Sequence, residues 1–172
     1  MDQSLRRLND LPASDAESEF LKCCGAKKWA RAMVAARPFA SAGAMFDEAD
    51  VCFATLSDAD WLEAFRAHPK IGEKKAATTQ SDTAQAWSAQ EQSQTANAAT
   101  AVMEALAEGN REYEQRFGFI FIVCASGKSA GEMLAMLNQR LANNAGVELQ
   151  VAAAEQRKIT QLRLQKLLAP AG

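Results

Sequence analysis

The sequence predicts an all-α protein, a single-domain helical bundle of about seven or eight helices over residues 1–172. Three observations carry this expectation. Alanine is abundant and the 4 prolines are scattered, at Pro12, Pro38, Pro69 and Pro170, which favours helix. Apolar residues recur at helical spacing behind recognisable helix-start signals. Only one run is strand-like, FGFIFIVCA from Phe117 to Ala125, and one strand cannot build a sheet.

Each element has a local cause. Ser57 precedes DADWLEAFRAH, where Asp58 and Asp60 place negative charge in the first turn, facing the positive end of the helix dipole. Trp61, Leu62 and Phe65 form its apolar stripe. Pro69 ends that helix near His68, because a residue before proline is pushed out of helical geometry. The polar stretch Gly72 to Ala86 has no apolar period and reads as an exposed loop or a ragged short helix. Ser88-Ala-Gln-Glu91 has the capping-box pattern and opens a further helix. A long helical pattern runs from Asn97 to Arg116, with Val102, Leu106 and Tyr113 on one side and Gly109 as a local weakness. The strand-like run is either a buried extended segment or part of a helix. A second capping box, Ser129-Ala-Gly-Glu132, precedes EMLAMLNQRLANN. Asn143 to Gly146 breaks the chain before a last helix from Val147 to Leu168.

Composition excludes several functions. With 172 residues, 48% apolar and 23% charged, the chain can bury a core and is not disordered. A net charge of -2 and a pI of about 5.5 offer nucleic acid no general attraction. No apolar run approaches the roughly 20 residues of a membrane span. The 4 cysteines, Cys23, Cys24, Cys52 and Cys124, form no C-x-x-C pair. Without a secretory signal they are expected to be free thiols in a reducing compartment. A single histidine removes zinc sites built on several imidazoles and any triad whose base is not His68.

Four features are candidates for chemistry. His68 has a side chain that exchanges a proton near neutral pH, and it sits at a helix end restrained by Pro69. Its bland alternative is an exposed helix-terminal histidine. Ser88 and Glu91 either only cap a helix or present an acceptor beside free N–H groups that could dock a ligand oxygen. Arg163 falls on the apolar face of the last helix, between Ile159 and Leu167. It either snorkels to solvent or turns inward to pair with a polar ligand. The run 117–125, if extended, has backbone groups in need of partners, and a ureide rich in N–H and C=O would suit them. Cys124 in that run is not expected to be a nucleophile, since no second histidine exists to activate it.

In order, HPKIGEKKA at 68–76, SAQEQSQ at 88–94, FGFIFIVCA at 117–125 and ITQLRL at 159–164, with RPF at 37–39 upstream, resemble the OHCU (2-oxo-4-hydroxy-4-carboxy-5-ureidoimidazoline) decarboxylase family. The HPKIGEKK loop looks like a bacterial branch of it. The resemblance implies an all-α homodimer acting on a small ureide, with no metal or organic cofactor, no nucleic acid and no membrane. It implies loss of CO2 from OHCU to give (S)-allantoin. It casts His68 as the catalytic proton donor and Glu91 as the catalytic glutamate. Pro69, Ser88, Ala89, Gln90, Glu91, Gln92, Phe121, Ile122, Val123, Cys124, Ala125 and Arg163 match its substrate-contacting positions. The tail Ala169-Pro-Ala-Gly172 lacks a peroxisomal tripeptide, so a cytoplasmic address is expected. Lys70, Glu73, Lys74 and Lys75 either tune substrate entry or form a solvated charged loop. Two other classes fit parts of the chain. A non-catalytic helical interaction module would not speed allantoin formation, and a hydrolase acting on 5-hydroxyisourate would release no CO2.

Overall fold

A computed structural model describes residues 3–70, 87–88 and 100–169. Eight helices have defined bounds there: α1 (Gln3–Asp10), α2 (Ala13–Cys23), α3 (Lys27–Ala35), α4 (Ala42–Ala54), α5 (Asp58–Arg66), α6 (Thr100–Phe117), α7 (Ala130–Leu141) and α8 (Ala145–Leu168). No strand occurs among the described residues. The all-α expectation therefore holds. The expected loop at 72–86 and the residues Ala89, Gln90, Glu91 and Gln92 lie outside the described set.

The local start signals work as chemistry predicts. The Ser57 hydroxyl donates to Asp60 Oδ2 at 2.9 Å, and the Asp60 N–H donates back to Ser57 Oγ at 3.3 Å. Ser129 and Glu132 form the reciprocal capping box that opens α7. The last helix starts at Ala145, two residues before the expected Val147, because Asn144 Oδ1 accepts from the Val147 N–H at 2.9 Å and caps it within the expected break. The Ser88 signal behaves differently. Trp87 and Ser88 are both helical, so Ser88 is not the non-helical residue that precedes a helix, and it is 3% exposed. A cap must have non-helical backbone and stand at the helix entrance, and the S-x-x-E pattern alone does not guarantee either.

The chain divides into two compact units. The first comprises Met1–Ala64 with Arg157–Gly172. There α2 packs on α3 and α3 on α4. Phe20 makes edge-to-face contacts with Trp29 and Phe39, with centroids 5.9 Å and 6.3 Å away, in a core that includes Leu5, Leu8, Met33 and Met45. The buried Trp29 Nε1 donates to the Ala49 carbonyl at 3.0 Å. Arg37 of the RPF motif gathers the carbonyls of Leu8 and Leu11, at 2.7 Å and 2.8 Å, and so satisfies the acceptors left at the end of α1.

The second unit is Phe65–Gln156. Here α6 packs on α7 around Leu106, Tyr113, Phe121, Val123, Met133 and Leu137. Gly109, expected only to weaken α6, is what lets the helices approach. A Cβ built on it would overlap Leu137 Cδ2 and lie 3.2 Å from Leu137 Cγ. The α6 helix ends where Gly118 takes φ +79°, a conformation that side chains disfavour, with its N–H closing on the Glu114 carbonyl at 2.8 Å.

Candidate active site

Residues 118–125 are not helical, which decides between the two sequence expectations in favour of a buried extended segment. Phe121, Ile122, Val123, Cys124 and Ala125 are each buried. With no neighbouring strand among the described residues, the segment's polar backbone must find other partners. Several are protein side chains. The Ile122 carbonyl accepts from Arg140 Nη1 at 2.6 Å, and the Cys124 carbonyl accepts from Lys128 Nζ at 2.8 Å. The Cys124 N–H donates to Glu155 Oε1 at 3.4 Å. Charged groups 4 to 31 residues away thus supply three of the bonds for which a ureide was expected to be a suitable partner.

Behind the segment lies a buried ionic cluster. Glu148, fully buried, accepts through Oε1 from Arg140 Nε at 2.7 Å, Arg140 Nη2 at 2.6 Å and the Tyr113 hydroxyl. Its Oε2 accepts from Asn143 Nδ2 at 2.9 Å. The Arg140 guanidinium also lies 4.5 Å from the centroid of the Phe121 ring. Burial, then the bond to the Glu148 carboxylate, pushes the Tyr113 phenol far above its ordinary range and keeps it protonated.

His68 follows α5, its N–H reaching the Phe65 carbonyl at 3.1 Å in a closing turn. The helix ends at Arg66, two residues before His68. The half-buried ring places Nε2 2.6 Å from Oε1 of Gln156, a side chain with no exposure at all. Gln156 follows Glu155 directly in α8, so two consecutive residues hold the histidine and the extended segment. Pro69 is half-buried, and Lys70 of the charged loop pairs with Glu114 at 2.6 Å.

Arg163 belongs to the first unit and is 2% exposed, so it does not snorkel. Its Nη1 donates to the Lys22 carbonyl at 3.3 Å, in the last turn of α2, where a cation meets the negative end of the helix dipole. All four cysteines are free and buried. Burial raises the Cys23 thiol well beyond its usual range, and raises Cys24 and Cys52 to about 11. They are inert at neutral pH. No group of three His, Cys, Asp or Glu able to hold a metal ion occurs among the described residues. No helix among them is long and apolar enough to cross a membrane.

The sequence reading missed Gln156, Glu155, Arg140 and Glu148. One signal was available for the acidic pair. Glu148 and Glu155, seven residues apart, share a face of α8 with Ala152, and all three are buried. Acidic residues on an apolar face are rarely idle.

A family model described as OHCU decarboxylase matches residues 9–165. The chain is 41% identical over 151 residues to the uric acid degradation bifunctional protein TTL of Arabidopsis thaliana, a match covering 88% of this chain and 47% of that protein. It is 26% identical over 163 residues to 2-oxo-4-hydroxy-4-carboxy-5-ureidoimidazoline decarboxylase of Haloferax volcanii, covering 94% and 92% of the two chains. The chain thus spans less than half the length of the plant relative. A crystal structure of OHCU decarboxylase in the presence of (S)-allantoin is similar at TM-score 0.76 and 38% identity, covering 88% of this chain and 97% of that one. A plant and an archaeal relative do not single out the bacterial branch expected from the loop. With the family model extending over nearly the whole sequence, the chain belongs to the OHCU decarboxylase family.

Proposed function

We propose that this protein removes CO2 from 2-oxo-4-hydroxy-4-carboxy-5-ureidoimidazoline and protonates the product to (S)-allantoin, with residues 1–172 acting as one domain. The observation that carries this reading is the convergence on Glu155 and Gln156 of the chain's one histidine and the buried segment 121–125. A proton-transfer group and a segment matching the family's substrate-contacting positions are thereby bonded by neighbouring residues of one helix, which supports the reading. The relative crystallised in the presence of (S)-allantoin supports the substrate class.

The chemistry asks little of a cofactor. The departing carboxylate sits on a carbon beside a ring C=N bond, and the electrons released with CO2 flow into that bond. The substrate is its own electron sink, so a metal, PLP or thiamine would duplicate it. The protein must hold the carboxylate out of the ring plane and deliver a proton to one face of the ene-diamine. His68 is the proposed acid. Glu91 orients the imidazole or grips the substrate hydroxyl and ureido groups. Ser88, Pro69 and Arg163 are proposed substrate contacts with the 89–92 segment. The proposal includes a cytoplasmic homodimer.

The test is the circular dichroism of allantoin formed during urate oxidation, with and without the protein. One enantiomer is expected, with CO2 released and with activity unchanged after EDTA treatment. His68→Asn should lower kcat by about 10²–10⁴-fold. Racemic product at the background rate with folded wild-type protein refutes the proposal.

A further inference from the structure

We infer that Gln156 is a positioning residue for His68, fixing the proton of the neutral ring on Nε2 and leaving Nδ1 as the nitrogen that exchanges a proton with the substrate. The evidence is geometric. Gln156 Oε1 lies 2.6 Å from Nε2, and Gln156 has no exposure to solvent. An amide oxygen only accepts, so the ring nitrogen facing it must donate. At a fully buried amide this bond is costly to break, because water cannot replace it.

The consequence for catalysis follows from proton bookkeeping. The imidazolium carries hydrogen on both nitrogens. Transfer from Nδ1 breaks that N–H bond, forms the new C–H bond on the decarboxylated carbon, and leaves a neutral ring whose Nε2–H still points at Gln156 Oε1. Transfer from Nε2 would instead leave two acceptors facing each other across 2.6 Å. Solvent then returns the proton to Nδ1 for the next turnover. A neutral amide suits this role. It orients the ring as a carboxylate would, but without the opposite charge that would hold the imidazolium as an ion pair and make its proton harder to release. The assignment of Nδ1 as the reacting atom rests on the decarboxylase reading, whereas the tautomer does not.

The single histidine makes the test direct. In full-length protein labelled with 15N-histidine, every ring signal belongs to His68. The neutral wild-type ring should show its proton on Nε2, in slow exchange and visible as a one-bond N–H correlation. Gln156→Leu should lose that correlation and lower kcat about 10- to 100-fold with a small change in KM. Gln156→Glu keeps the acceptor and should keep the Nε2 correlation, yet turn over more slowly than wild type. Should the leucine variant not fold, the wild-type and Gln156→Glu spectra still decide. A proton on Nδ1 in the wild-type ring, as from a reversed Gln156 amide, overturns the inference whatever the activity, as does a folded Gln156→Leu with wild-type kcat. A spectrum as expected from a protein that forms no allantoin leaves the hydrogen bond standing and refutes the decarboxylase reading instead.

Discussion

Replacing Glu148 by glutamine should reveal how much the second unit depends on its buried ionic cluster. The substitution keeps the shape of the side chain and one acceptor oxygen but removes the charge. It places an NH2 group among donors: Arg140 Nε and Nη2, the Tyr113 hydroxyl and Asn143 Nδ2. The Arg140 side chain is only 7% exposed, so its cation is left in the interior without a counter-charge. Breaking a buried pair in this way costs roughly 3–5 kcal/mol. The Ile122 carbonyl still accepts from Arg140, which argues for the lower end, about 3 kcal/mol. Total stability of a domain is about 5–15 kcal/mol, so the variant should fold but marginally. At a urea slope of about 2 kcal/mol/M the midpoint should fall by about 1.5 M. Urea titration followed by far-UV circular dichroism measures this. The pair Arg140→Met with Glu148→Leu should recover at least about 2 kcal/mol over Glu148→Gln, since apolar replacement removes the orphaned charge. A Glu148→Gln midpoint within about 0.3 M of wild type would refute the claim that the cluster is a desolvated, mutually dependent unit.

Other outcomes are specific to single contacts. Arg163→Lys keeps the charge but loses the planar fork, so KM for the ureide should rise strongly, and unchanged steady-state kinetics would remove Arg163 from the substrate contacts. Gly109→Ala gains about 1 kcal/mol of helix propensity but overpacks the fully buried Leu137 at about 1–3 kcal/mol. Its melting temperature should fall, and a rise would show that α7 yields more easily than its packing implies. The Arg157 guanidinium, bonded to Asp50, holds that carboxyl below its ordinary value of 3.8. A depressed folded-state value means stability present above pH 3.8 and lost as pH falls through the folded value. Asp50→Asn should therefore cost up to about 1 kcal/mol at pH 7, and the gap should begin to narrow below the ordinary value of 3.8, as urea midpoints at pH 7 and pH 3 would show.

The sequence by itself determined what is decided within a few residues. Helix starts at Ser57 and Ser129 depend on side chains bonding their own backbone three residues away, and the arrest of α5 before Pro69 depends on the steric limit that proline sets on the residue before it. Those bonds form whatever the rest of the chain does. His68 stood out as a candidate for a similar reason, since it is the one imidazole of the chain and is followed by proline. The exception, Ser88, shows the limit, because the residue at the cap position of the pattern is itself helical.

Tertiary structure decided whatever depends on groups far apart in sequence. Whether 117–125 is helix or extended could not be read from its apolarity, because its stability as an extended segment comes from Arg140, Lys128 and Glu155. Gly109 could not be told from a defect until Leu137 was seen against it. Arg163 is buried rather than snorkelling, in a place where a helix end offers it a carbonyl. Gln156 had no local signature at all. In AEQRK it is an ordinary polar residue, and its role exists only because folding brings His68, 88 residues earlier in the chain, against a helix face that excludes water. Hydrogen bonds of this kind are fixed by burial, and burial is a property of the packed chain, not of any short stretch of it.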